Sequence, residues 1–303
     1  SLGAAIGFKA KALADQAYAI GFDANASGIN AYAIGWDAEA SGASALSIGS
    51  VTKARGIASV ALGTNAQALA ESATALGRLS NASANSSTAV GYQAQAQREG
   101  ALALGCASFA VGNHATSIGT LAVAFGDRTI AIGNQSRSAA KDALAIGTQA
   151  NATDTNATAI GISAQANGHD SIAMGSSAVA RACQTVAIGH DTLANGTYDI
   201  VIGYGSKSSG TGGYAAALGF NATASDIGAY AIGYEATASA MHAYAIGLRS
   251  KATGRWSIAF GPDSQATADA AIAQGISSTA SGNYSIAQGA WSNATGLESI
   301  SIG

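Results

Sequence analysis

Along this chain of 303 residues, a bulky residue followed by glycine returns every fourteen positions, through Gly7, Gly21, Gly35 and Gly49 and on to Gly203. One interval of sixteen leads to Gly219, and the fourteen-residue beat then resumes to Gly303. Counting from the residue after each glycine, the thirteenth position is Ile in most units, as in Ile20, Ile34, Ile48, Ile132, Ile146, Ile188 and Ile232. The twelfth is nearly always Ala, and the eleventh is often bulky, as in Tyr18, Tyr32, Leu46 and Val60. Earlier in the unit, the third and fifth positions are small (Ala24 and Ala26, Ala38 and Ala40), while the fourth is commonly polar or charged (Asn25, Glu39, Lys53, Gln67). Strand side chains alternate between faces. Each unit therefore predicts two short strands, one with a bulky and a small face, the other with small residues inward and a polar row toward water. No Lys, Arg, Asp or Glu falls at positions three, five, eleven, twelve or thirteen, which supports this register.

A fixed short period over the whole length is the signature of a repeat architecture in which each unit packs on its neighbours. It overrides the two globular domains that length alone suggests and predicts one solenoid over residues 1–303, with an irregular coil at 204–219. Helix is disfavoured, because every unit carries glycine, at a cost of about 1 kcal/mol each relative to Ala. The fold class is all-β: a parallel β-roll, two short strands per coil, with a narrow Ala-lined interior. Such an interior stabilises itself weakly, since a buried methyl is worth about 0.8 kcal/mol against roughly 1–2 kcal/mol of backbone entropy per ordered residue. At a coil spacing of about 4.8 Å, the Ile stripe runs on the order of 100 Å. Soluble monomers rarely expose so large an apolar patch. The stripe is predicted to be an interface with other copies of the chain, closed by cyclic symmetry; these arguments do not fix the subunit number.

The units NAYAIGWDAEASG, NATAIGISAQANG and WSIAFGPDSQATA resemble the head repeats of trimeric autotransporter adhesins, the YadA-like head, whose motif is of the type Asn-Ser-Val-Ala-Ile-Gly-x-x-Ser. Trp256–Ser264 is the nearest match, with Ser257 and Ser264 at motif positions and Pro262, the single proline, where that family often has one. Most other units lack the Asn-Ser opening and carry Tyr or Thr in place of Val. The resemblance implies a left-handed β-roll, a homotrimer with its Ile face inward, and a non-enzymatic adhesin on the bacterial surface. Its implied ligands are host matrix proteins, glycans or other bacteria, and its implied anchorage is to the outer membrane through parts outside this sequence. The closing ESISIG resembles the segment leading into the family's neck, so the sequence is expected to be a head fragment.

Composition narrows the chemistry. Fourteen Lys and Arg against seventeen Asp and Glu give a net charge of −3, with no basic patch suited to nucleic acid. No apolar run approaches the twenty residues of a membrane span, and no signal peptide is visible; no membrane contact by this segment is expected. Cys106 and Cys183 lie five and a half units apart, roughly 25 Å at the strand spacing, too far for a disulfide within one straight roll. His114, His169, His190 and His242 fall on separate units, without metal-ligand spacing or a Ser and Asp arrangement. Phosphate-loop and calcium-repeat glycine patterns are absent. The sequence predicts no enzyme, cofactor or metal site.

Four features stand out as candidate contacts. Phe8, Phe22 and Trp36 occupy the first position of consecutive units and predict a stacked ladder, with Tyr18 and Tyr32 nearby; Phe220 and Tyr234, with Tyr230 and Tyr244, form a second group. These rings read either as a stacking platform for a glycan or protein side chain, or as turn residues that edge the interface. The irregular coil Tyr204–Gly219 predicts a protruding turn carrying Lys207, which reads equally as a binding loop or as a tolerated insertion. Gln274 and Gln288 replace Ile at the thirteenth position and predict two polar layers near a trimer axis, with amide–amide bonds, water or an anion. A structural spacer that projects a separate binding tip is the competing reading of the whole. An ice-binding array would need one residue type along the fourth-position row, which is instead mixed.

Overall fold

The computed structural model describes residues 2–210 and 212–303; Ser1 and Thr211, the latter within the irregular coil, lie outside them. Every strand has two or three residues, and the two kinds alternate along the chain. The alternation follows the sequence period. Tyr18–Ile20 pairs in parallel with Tyr32–Ile34, placing Tyr18 beside Tyr32, Ala19 beside Ala33 and Ile20 beside Ile34. Asn25–Ala26 pairs in the same way with Glu39–Ala40. The chain is an all-β parallel solenoid with a coil of fourteen residues.

It divides into two compact units, Ser1–Ala150 and Asn151–Gly303. In the first, three-residue strands run from Ala4–Ile6 to Leu144–Ile146 and two-residue strands from Lys11–Ala12 to Arg137–Ser138. In the second, the corresponding sets run from Thr158–Ile160 to Ile300–Ile302 and from Asn151–Ala152 to Asn293–Ala294.

Both units have the interior that the small positions predict. Ala17, Ala19, Ala24 and Ala26 in one, and Ala157, Ala159, Ala164 and Ala166 in the other, are completely buried. Val201 is the largest fully buried side chain, so cohesion rests heavily on the ladders between coils, such as the N–H of Tyr18 to the carbonyl of Ala31 at 2.9 Å and that of Gly21 to Ile6 at 2.8 Å. Buried hydroxyls need partners, and many donate to the carbonyl three residues back: Ser80 to Gly77 at 2.9 Å, Thr129 to Gly126 at 2.7 Å and Thr185 to Ala182 at 2.8 Å.

The corners explain the glycine beat. Gly21 has φ +135°, and a Cβ there would collide with the carbonyl of Gly35 on the next coil. Only glycine satisfies both constraints. The second and ninth positions are also left-handed, as at Asp23 (φ 53°) and Asn30 (φ 58°), residue types that tolerate this region.

The irregular coil corrects one expectation. Lys207 is not on a protruding turn; it lies on the strand Lys207–Ser208, in ordinary fourteen-residue register with Leu193. The register widens to sixteen only beyond it, where Lys207 pairs with Thr223 and Ile200 with Ala216. The extra residues therefore follow Ser208, and regular stacking has resumed by Tyr214, whose ring lies 5.0 Å from that of Tyr198. Fully buried Asp199 secures this detour, accepting N–H donors from Gly196 at 2.8 Å and Ala215 at 2.9 Å.

Candidate functional site

The bulky face of the three-residue strands is left uncovered within each unit. In the first, Ile20 is 40% exposed, and Ile34, Ile48, Ile132 and Ile146 are half-buried. In the second, Ile188 is half-buried, Ile232 is exposed, and the stripe continues through Phe260 to Gln274 and Gln288 on adjacent strands. Both glutamines project on this face and are exposed, and no hydrogen bond joins them within the chain.

Coil stacking also aligns the aromatic rings. Phe8 and Phe22 stack with centroids 5.4 Å apart, and Tyr18 and Tyr32 at 5.1 Å. Trp36 does not extend the first stack: its indole is 54% exposed and meets no other ring among the described residues. The second group is longer than the sequence reading allowed. His190, Tyr204, Phe220 and Tyr234 form one ladder, with centroid spacings of 5.0, 5.2 and 5.0 Å and rings within 8° of parallel. Tyr230 and Tyr244 stack separately at 5.1 Å. Within such a ladder the inner rings cover one another's faces, so they offer a ligand their edges rather than a stacking platform.

Beside this ladder lies an open groove of ≈ 440 Å³. Val179, Leu193 and Lys207 succeed one another on consecutive two-residue strands along its length. Ser177, Asp191 and Asn221 line it as well, and the ring of Tyr204 forms a wall. Arg181 also faces it, donating from Nη1 to Oδ1 of Asn195 one coil further on, at 3.3 Å. Asp191 lies 3.1 Å from Nδ1 of His190. Lys207 has no ion-pair partner among the described residues. By contrast, Arg55, Arg128 and Arg249 are each held by two contacts to a carboxylate one coil away, on Glu39, Asp142 and Asp263 respectively. Hydrogen bonding from Arg128 and Arg249 holds the carboxyls of Asp142 and Asp263 below their ordinary range. No group of three or more His, Cys, Asp or Glu among the described residues is placed to hold a metal ion, Cys106 and Cys183 are free and exposed, and no helix is long and apolar enough to cross a membrane.

The family pattern described as "YadA head domain repeat (2 copies)" matches residues 26–51, 54–80, 82–105 and 110–136, then overlapping stretches from 139–164 through 280–303. The chain belongs to the YadA head repeat family. YadA-like heads are of the trimeric autotransporter adhesin type, borne on surface-exposed outer-membrane proteins, and the family is in general non-enzymatic. No curated protein matches the chain.

Within this YadA-type head, the stretch nearest the family motif is divided between surface and interior. Trp256 is 55% exposed on a left-handed corner, and Pro262 is exposed. Ser257 and Ser264 are fully buried, Ser264 donating to the carbonyl of Gly261 at 2.8 Å, so their hydroxyls do not reach a surface ligand in this fold. Both serines thus have a structural place, each facing the interior immediately before a strand, Ile258–Phe260 and Gln265–Ala266. His190 and Tyr204 had a legible signal, the first-position row they share with Phe220. Asp199 had one too, as a charge at the otherwise small tenth position.

Proposed function

We propose that this chain is the head of a homotrimeric surface adhesin. Three chains, each a left-handed roll, bury their Ile stripes against one another, and the outer flanks attach the cell to host cells, matrix proteins or other bacteria. The observation that carries this reading is the uncovered apolar face of both units, set on an interior of little more than Ala. A face of that extent needs a partner, and a symmetric closed assembly covers it without open-ended growth. The single-head reading rests on the sequence period, unbroken from Gly147 to Gly161. Weak flank contacts repeated along the coils and across three chains gain strength through effective concentration.

The test is attachment of beads coated with the purified chain to host cells and matrix proteins, compared with beads carrying Ile20→Asp/Ile34→Asp. Attachment that depends on an intact stripe supports the reading; inert wild-type beads contradict it. The regularity of the coils favours a second reading, a spacer for a distal tip. Under that reading, whole cells keep adhering when the exposed flank residues are changed.

A further inference from the structure

Resting on the adhesin reading, we propose that the groove between Arg181 and Lys207 is a binding site for a carboxylated saccharide. The fourth-position row is polar at Asn25, Gln67, Gln165 and Lys251 and apolar at Phe109 and Val123, and it is apolar again at this groove, where Val179 and Leu193 lie half-buried side by side. A flat hydrocarbon floor suits the apolar face of a sugar ring. Lys207 stands one ladder step beyond Leu193, and Arg181 lies two residues after Val179 on the same coil. The bond from Arg181 to Asn195 carries its guanidinium one coil toward Lys207, bringing both charges to the same short stretch. Neither is neutralised by a carboxylate of the chain, unlike the arginines of the three bidentate pairs.

A carboxylate on the ligand completes this arrangement, because charge-assisted hydrogen bonds are the strong ones. Ser177, Asp191 and Asn221 supply donors and acceptors along the groove, and the carboxylate of Asp191 calls for hydroxyl or N–H donors, which a sugar offers. The wall, Tyr204, is held between His190 and Phe220, so the shape is fixed before a ligand arrives. From Val179 to Lys207 is two ladder steps, about 10 Å, and a volume of ≈ 440 Å³ falls in the range of small-ligand sites. Those dimensions fit one or two sugar rings and are short for an extended acidic peptide.

Calorimetric titration of the whole chain with 3′-sialyllactose, lactose and hexaglutamate tests this. Saturable binding of sialyllactose is expected, with lactose weaker by about tenfold or more. Lys207→Gln and Arg181→Gln, both at exposed positions, should each weaken sialyllactose binding by about tenfold or more, with unchanged circular dichroism. Lys53→Gln, at the same coil position in the other unit, should leave it unaltered. Equal affinity for lactose, an equal loss with Lys53→Gln, or a preference for hexaglutamate overturns the proposal. Absence of saccharide binding by a chain whose coated beads still attach to cells overturns the groove and leaves the adhesin reading standing; failure of both removes both.

Discussion

The carboxylate of Asp199 accepts the backbone N–H of Ala215 at 2.9 Å, sixteen residues further along the chain and one coil away. Its other oxygen takes the N–H of Gly196 at 2.8 Å. Two buried donors on neighbouring coils are thus satisfied by one side chain. Asp199→Ala leaves both unpaired and should lower the local opening free energy by about 2–5 kcal/mol, with faster hydrogen exchange at Gly196 and Ala215. Asp199→Asn keeps one acceptor oxygen and should cost less. Exchange unchanged in Asp199→Ala would show that the detour holds itself.

Backbone geometry makes two opposite predictions. Gly21→Ala places a methyl against the Gly35 carbonyl at φ +135° and should destabilise its coil by at least about 2 kcal/mol. Val51, β-branched and held at φ 56°, is strained where it is. Val51→Asn should stabilise by roughly 1 kcal/mol. Urea unfolding of the two variants checks both signs.

Acid should weaken the inter-coil ion pairs. Arg128 and Arg249 depress the carboxyl pKa of Asp142 and Asp263 in the folded chain, so the unfolded chain binds more protons wherever the two states differ, and stability rises with pH there. The contribution is present above the unfolded carboxyl value of about 3.9 and is lost as pH falls through the depressed folded value. Asp142→Asn/Asp263→Asn should melt below the wild type at about pH 6, with the gap closing toward about pH 2. A gap that persists in acid would assign the loss to packing instead.

The ladder through Tyr204 should be cooperative. Tyr204→Ala removes two stacked contacts, to His190 and Phe220, at about 0.5–1.5 kcal/mol each beyond area. Phe220→Ala in that background should cost less than in the wild type. Additive losses in a double-mutant cycle would deny the ladder any energetic coupling.

The coil was legible in the sequence because one residue type does one job at each position. Ala19 and Ala26 face inward, Ile20 faces outward and Gly21 turns the corner, so alternation alone gave the register and the interior. What misled was local. An insertion is visible as a count between Gly203 and Gly219, but its place within the coil depends on which strand residues keep their pairing, and Lys207 kept its own. Trp36 shares a row with Phe22 without sharing its stack, since a common coil position sets Cα spacing and leaves the side-chain rotamer free. The groove escaped the sequence because Arg181 and Lys207 lie on different coils and line one groove only once the coils are stacked. Asp199 is a charge at the otherwise small tenth position, and the two backbone N–H groups it accepts account for its burial.

In the trimeric head we propose, the Ile stripe joins three chains. Light scattering of the purified chain across a dilution series tests it most directly. A constant mass of three chains of 29.4 kDa each is expected, falling when Ile20→Asp/Ile34→Asp interrupts the stripe. A folded single chain at every concentration, with the stripe intact, would contradict it.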